Sequence, residues 1–296
     1  MAGHKMPLPP LASVEGGSRH FVMGQIIQME TGESLPFDRF IDQLETKDLV
    51  FIGEVHDNPE HHLIQVQILQ ALTARHGPLT VAMEFFQKPQ QAIIDRYMAG
   101  ESTESAFLKD VNWEKQWSFD YSFYRPLLLA VRENKGKILA INAPNDIVRK
   151  VARSGLNSLD PDERSLLAKD IDLDNEGHRA YLQDVFEGDA HSSLANFEFF
   201  YEAQCVWEDT MAENVAASLE GADETLVVFT GNGHIINRFG IPDRTAARIP
   251  ADTATVILSP MEDRMTIARN SADYVWLTGK YPRRNTFFHP KGYGKR

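Results

Sequence analysis

The stretch GEVHDNPEHH, residues 53–62, holds three of the chain's ten histidines and three carboxylates, directly behind the apolar run DLVFIG. If the backbone is still extended there, Glu54 and His56 lie two residues apart and point to the same side. An imidazole beside a carboxylate suits a general base with an orienting partner, and equally half of a metal site. Another carboxylate, Glu84, sits inside the apolar run VAMEFF, where an unpartnered charge would be costly. Asn142 closes the run KILAIN, and His234 follows TLVVFTG in the stretch TGNGHI. Glu54, His56, Glu84 and His234 together have the donor types of a divalent-metal site. The alternative is a hydrolase or esterase in which His56 is the base and Glu54 orients it. His61 and His62 fall in the first turn of a following helix; adjacent residues do not share a helix face, so at most one of them serves the site.

The elements that must position these groups follow from the hydrophobic pattern. DLVFIGE, LTVAMEFF, KILAINAP and TLVVFTG read as strands buried on both faces, with TATVILS as another and DYVWLTG as an edge strand. Helical patterns alternate with them: a first helix with Phe37, Phe40, Ile41 and Leu44 on one face, then one capped by Asn58 with Pro59 at its first position and stopped at Gly77. PQQAIIDRYMAG, YRPLLLAVRENKG and NDIVRKVARSG continue the alternation, and HFVMGQIIQMETGESL reads as an opening hairpin turning at Thr31-Gly32. The rhythm implies an α/β fold, a mainly parallel sheet flanked by helices. Residues 156–194 break it with an acidic stretch of short helical pieces, expected to form an inserted helical lobe. A single long helix then runs to Gly221. Residues 1–18 are expected to be a flexible leader, 19–281 a single α/β domain, and 282–296 a loose tail. In such a sheet, ligands bind in the crevice beyond the carboxyl ends of the strands, where Glu54, His56, Glu84, Asn142 and His234 would all converge.

Composition removes several alternatives. A net charge of -12 leaves no basic face for nucleic acid. The single cysteine, Cys205, excludes an intramolecular disulfide and falls in a helical pattern as a buried, inert thiol. No run is long enough to span a bilayer, and no signal peptide or lipobox is visible. GNGH lacks a third glycine and a P-loop lysine, and neither G-x-S-x-G nor H-E-x-x-H occurs. Two Trp, two Tyr and two Phe gather in WEKQWSFDYSFYRP, either as core or as a flat apolar wall for a large planar ligand.

Taken in order, GEVHDNPEHH, VAMEFFQKPQQ, DYSFYRPLLLA, INAP, YEAQCVWEDTMAENVA and GNGHIINRFGIP resemble the ChaN-like family of bacterial haem-binding, iron-regulated proteins. The family is distantly similar to erythromycin-esterase-like and TraB-like proteins, which include hydrolases. The resemblance implies a role in haem or iron uptake, with ferric haem held by tyrosine as a face-to-face pair in a homodimer. It also suggests a place in the cell envelope, periplasmic or membrane-associated. Tyr124 in YRP is the expected ligand, with Arg125 as a donor to its phenolate and His61, His62 and Asn142 around the cofactor; Tyr121, Tyr181 and Tyr201 stay open as ligands. A phenolate is a hard anionic ligand, suited to ferric haem.

Overall fold

The computed structural model describes residues 10–188, 196–220 and 224–281. Two sheets organise the chain. The larger is built from β3 (Ile26–Gln28), β4 (Glu33–Leu35), β5 (Leu49–Glu54), β6 (Thr80–Gln87), β7 (Lys137–Asn142), β8 (Leu226–Gly231), β9 (Thr253–Pro260) and β11 (Tyr274–Thr278). Its spatial order is β4-β3-β11-β9-β5-β8-β6-β7. Every pair from β11 to β7 is parallel, and the β3–β4 hairpin adds two antiparallel strands at one edge. A smaller sheet joins β1 (Leu11–Val14) to β2 (His20–Phe21) and to β10 (Arg264–Ile267).

The sheet order sets the site. β5 and β8 are 177 residues apart at their starts, yet they pair in register from Leu49↔Leu226 to Glu54↔Gly231. β6 pairs with the far side of β8 only as far as Met83↔Phe229, and its register with β7 slips between Met83 and Gln87. Glu84 therefore sits where the ladder breaks, free to turn toward the β5 and β8 ends. The strands are buried on both faces, as continuous apolar runs require. On one face α1 (Phe37–Leu44), α2 (Pro59–His76), α3 (Gln91–Met98), α4 (Glu104–Asp110), α5 (Trp113–Gln116) and α6 (Tyr121–Glu133) contribute to one apolar core. On the other face α10 (Phe197–Leu219) packs with the smaller sheet.

Local chemistry explains the helix that carries the opening motif. The Asn58 side chain accepts from the Glu60 N–H, Pro59 occupies the first turn, and Gly77 ends the helix at φ +84°. Ile64, Ile68, Leu69 and Leu72 are its buried stripe. Between β7 and β8 lie α7 (Asn145–Ser154), α8 (Pro161–Ser165), α9 (Glu176–Glu187) and α10. Of the acidic lobe expected over 156–194, residues 156–188 carry a short turn, α8 and α9; 189–195 lie outside the described residues, as do Gly221 and the tail 282–296.

Two expectations are corrected. The leader was expected to run to residue 18, but Ala12 and Val14 are 1% and 2% exposed in β1, which pairs with β10 and β2. The alternating pattern of LASV buries every second side chain, as suits the central strand of a small three-stranded sheet. DYVWLTG is not an edge: β11 is buried along its length between β9 and β3. A hairpin far earlier in the chain covers it, which no local pattern reveals.

Candidate functional site

The crevice at the carboxyl ends of β5, β8 and β6 gathers Glu54, His56, Glu84 and His234. His56 Nδ1–H donates to Glu54 Oε1 at 2.7 Å, and the Tyr124 hydroxyl donates to the same oxygen at 3.1 Å. Glu54 Oε2 lies 3.2 Å from His62 Nδ1. The other nitrogen of His56, Nε2, has no hydrogen-bond partner among the described residues and lies 4.0 Å from Glu84 Oε1. His234 Nε2 approaches that same oxygen at 3.6 Å, while its Nδ1 lies 3.1 Å from Glu208 Oε1. Glu84 Oε2 accepts from Thr230 Oγ1 and from the Gly231 N–H, both at 2.6 Å. Gly231 leaves room for the His56 ring: a Cβ there would meet it at 3.0 Å, and the ring would have to give way. The His56 side chain is 26% exposed and that of His234 11%, so His56 forms the mouth and His234 the floor.

The charges follow from these contacts. Burial disfavours the His56 imidazolium, but the hydrogen bond to Glu54 and the charge of Glu84 outweigh it and hold its pKa above the ordinary 6.5. His234 is pushed to about 10, because Glu84 and Glu208 overcome the effect of burial. Glu84 falls to about 2, its burial outweighed by the His234 charge and hydrogen bond. The floor of the crevice is thus an imidazolium–carboxylate pair, and its mouth a carboxylate-oriented imidazole. Half-buried Trp117 and Phe119 flank that imidazole, each with its ring centre 4.9 Å away.

Several residues expected at a cofactor or metal site do other work. His61 is fully buried: its Nδ1 accepts the Val55 N–H and its Nε2 meets Thr278 Oγ1, each at 2.8 Å. Burial and the neighbouring His62 lower its pKa to about 3, so it is a neutral strut between the motif and β11. His62 is the member of the pair that reaches the site, from beneath Glu54. Asn142, 1% exposed, donates to the Glu84 carbonyl at 2.8 Å and accepts from Trp207 Nε1, which ties both ends of its amide into the core. Tyr124 is 0% exposed, and burial together with Glu54 holds its pKa well above 10. A buried phenol that donates to a carboxylate is no phenolate for an incoming haem. Arg125 points away, its guanidinium 2.8 Å from Glu104 on an exposed surface. Tyr121 and Tyr181 are partly buried and Tyr201 is 1% exposed.

The divalent metal expected at Glu54, His56, Glu84 and His234 finds no site here. Among the described residues no group of three or more His, Cys, Asp or Glu side chains is placed to hold one. Metal-binding imidazoles must be neutral, whereas His234 faces carboxylates through both nitrogens. Behind His234 stand residues that sequence reasoning missed: Glu208, His178, Arg244 and Trp207. One signal was available for Glu208 and Asp209. They are carboxylates inside the apolar helix YEAQCVWEDTM and are 1% and 0% exposed, the same anomaly that marks Glu84.

The structure of ChaN from Campylobacter jejuni, a protein with cofacial haem binding, superposes with a TM-score of 0.67 at 20% identity, covering 85% of this chain and 95% of that one. An erythromycin esterase in its open conformation matches at a TM-score of 0.46 and 13% identity, over 80% of this chain and 76% of that one. Protein RETICULATA-RELATED 5, chloroplastic, of Arabidopsis thaliana is 23% identical over 278 residues, which are 84% of this chain and 36% of that protein. The chain thus spans about a third of the curated relative it matches. The family model described as haem-binding uptake, Tiki superfamily, ChaN matches residues 40–245.

Proposed function

The chain belongs to the ChaN family of haem-binding uptake proteins in the Tiki superfamily, and on that premise we propose that it takes up ferric haem through a surface phenol other than Tyr124. The family match carries this reading. A porphyrin is too large to reach a hydroxyl enclosed by Glu54 and the aromatic core, so its ligand has to stand in the open. Tyr281 is the exposed tyrosine among the described residues, at 51%. It directly follows a groove of about 490 Å3 lined in part by Met23, Met261, Arg264 and Lys280. Thioethers supply apolar contact to a planar ring; Lys280 pairs with Glu262 at 3.0 Å, which leaves Arg264 as the cation for the ring's carboxylates. His56 is a poor alternative, because its free nitrogen faces Glu84 and His234 at the crevice floor, where a macrocycle would collide. The pairing of two haems across a dimer is part of this proposal.

The test is a titration of the protein with ferric haem, read by absorbance, with Tyr281→Phe and Tyr124→Phe in parallel. The expected result is a saturable band shift, kept in Tyr124→Phe and lost in Tyr281→Phe, with the sedimenting mass doubling on loading. Loss in Tyr124→Phe alone would restore the buried phenol as ligand; no saturable shift in the unmodified protein would end the haem reading.

A second reading rests on its own observation, the free His56 Nε2 beside a charged His234. There, His56 takes a proton from water, the water oxygen attacks an ester carbonyl, and the His234 N–H stabilises the oxyanion. Collapse expels the alkoxide, which His56 reprotonates, giving acid and alcohol. Turnover of p-nitrophenyl acetate, abolished in His56→Ala, is the expected result; equal turnover in that variant would refute it.

A further inference from the structure

Both ring nitrogens of His234 face carboxylates, Glu84 Oε1 at 3.6 Å and Glu208 Oε1 at 3.1 Å. A neutral imidazole would aim a lone pair at one of them. Glu84 belongs to the crevice, but Glu208 does not touch it, and nothing in either functional reading accounts for a carboxylate 1% exposed in the middle of α10. Its seat is built from two other helices and the residue that precedes the second of them. From α9, His178 Nε2 lies 3.3 Å from Glu208 Oε2; from α11 (Ile241–Ala246), Arg244 Nε lies 3.5 Å from the same oxygen. Just before α11, a Cβ on Gly240 would meet Glu208 Oε1 at 2.8 Å, so only glycine lets the carboxylate sit there.

The tautomers of this seat are set from the far side. Arg244 Nη2 donates to His178 Nδ1 at 3.3 Å, which leaves the His178 proton on Nε2, toward Glu208. Burial keeps the His178 pKa below 6.5, so it serves as a neutral donor. Arg244 is itself held by Asp209, which also accepts from Arg248 at 2.8 Å, and by the Asp172 carbonyl at 3.0 Å. The groups that face His234 are therefore Glu84 from β6, Glu208 from α10, His56 from the β5 end and the ring of Trp207, with His178 and Arg244 one step behind.

We propose that Glu208, seated by His178 and Arg244, is a positioning residue: it fixes the His234 ring and its second proton so that Nε2–H stands ready beneath the crevice as the donor to a developing oxyanion. The proposal rests on the hydrolytic reading, and its test separates the two. Histidine-labelled protein is followed by NMR from about pH 6 to about pH 9, with the His234 signals assigned by their loss in His234→Gln. The unmodified protein is expected to show His234 protonated on both nitrogens through neutral pH, and Glu208→Gln to titrate at a lower pH, with Glu84 still facing Nε2. In parallel, p-nitrophenyl acetate hydrolysis by Glu208→Gln should lose roughly tenfold in kcat with KM unchanged, less than the 10²–10³ expected for removal of an oxyanion donor itself. His234 titrating near the ordinary histidine value in the unmodified protein overturns the proposal, and that spectrum suffices even if Glu208→Gln fails to fold. An unchanged His234 signal in a folded Glu208→Gln variant also overturns it. If the unmodified protein turns over no ester but the NMR contrast holds, Glu208 still fixes the second proton of His234, while the oxyanion role is overturned together with the hydrolytic reading.

Discussion

His61 and His234 are both buried imidazoles near the carboxyl ends of the sheet, yet they carry opposite charge states: about 3 for the pKa of one, about 10 for the other. Burial acts against the charged form in both. What differs is the partner atoms. His61 meets a backbone N–H, which demands a lone pair on Nδ1, and a hydroxyl that accommodates either role. His234 meets two carboxylates, which demand protons on both nitrogens. A buried histidine is a strut or a chemical group according to what it faces, and neither burial nor motif membership decides.

The sharpest way to break this comparison is Glu84→Gln. It leaves His234 with one carboxylate instead of two and weakens the anchor for Thr230 and Gly231. Unfolding free energy by urea titration is expected to fall by about 3 kcal/mol, the lower end for breaking a buried pair, since His234 can shed its proton. The pH dependence has a definite sign. The raised pKa of His234 contributes stability that is complete below 6.5 and lost as pH rises toward 10; the lowered pKa of Glu84 contributes stability present above 4.5 and lost as pH falls toward 2. The deficit of the variant should therefore peak between these limits and shrink on either side. A deficit that does not vary with pH would mean the pair is not ionic.

His61→Phe should act in the opposite sense. It keeps the ring but leaves the Val55 N–H without an acceptor, at a cost of about 1–3 kcal/mol near neutral pH. Because the folded-state pKa of His61 is depressed, the unmodified protein loses stability from this group as pH falls from 6.5 toward 3. The variant lacks that acid sensitivity, so its deficit should narrow with falling pH. Denaturation midpoints across the acid range measure this, and parallel curves would show that His61 is not held neutral.

Much of this contrast could be read in the sequence, and the rest could not for identifiable reasons. The strands that carry Glu54, Glu84 and Asn142, and the one that His234 follows, were legible because buried parallel strands are continuous apolar runs with polar ends. Glu84 was legible as chemistry because a carboxylate in VAMEFF needs a partner. The role of His61 was not, since its acceptor bond reaches back to Val55 and its other contact is Thr278, 217 residues away. Tyr124 misled for a related reason: the helical pattern was legible from Tyr124 on, although α6 starts at Tyr121 with Asp120 as its cap, but the inward direction of the phenol depends on Glu54 lying under it. The partners of Glu208 come from α9 and α11, so even a recognised buried carboxylate could not have been assigned its neighbours.

A smaller effect sharpens the reading of Tyr124. Tyr124→Phe removes one of the two donors to Glu54 Oε1 while His56 keeps the other. The expected loss is about 1 kcal/mol of unfolding free energy. His56 would also gain hold on the carboxylate, so its titration by NMR should move upward and not down. A downward move would mean that Tyr124, and not the carboxylate charge, orders the mouth of the crevice.

The smallest effect is expected of Arg125→Ala, and it discriminates between the two faces of α6. Arg125 and Tyr124 are neighbours in YRP, but one is sealed in the core and the other pairs with Glu104 where solvent screens the interaction. If the haem ligand were the phenol beside it, this guanidinium would tune the iron and its loss would weaken haem binding. Because its contacts run along the surface to α4, haem affinity and the unfolding midpoint should both stay at their unmodified values. A haem affinity reduced severalfold in Arg125→Ala, with the midpoint unchanged, would return the cofactor to this end of α6 and displace Tyr281.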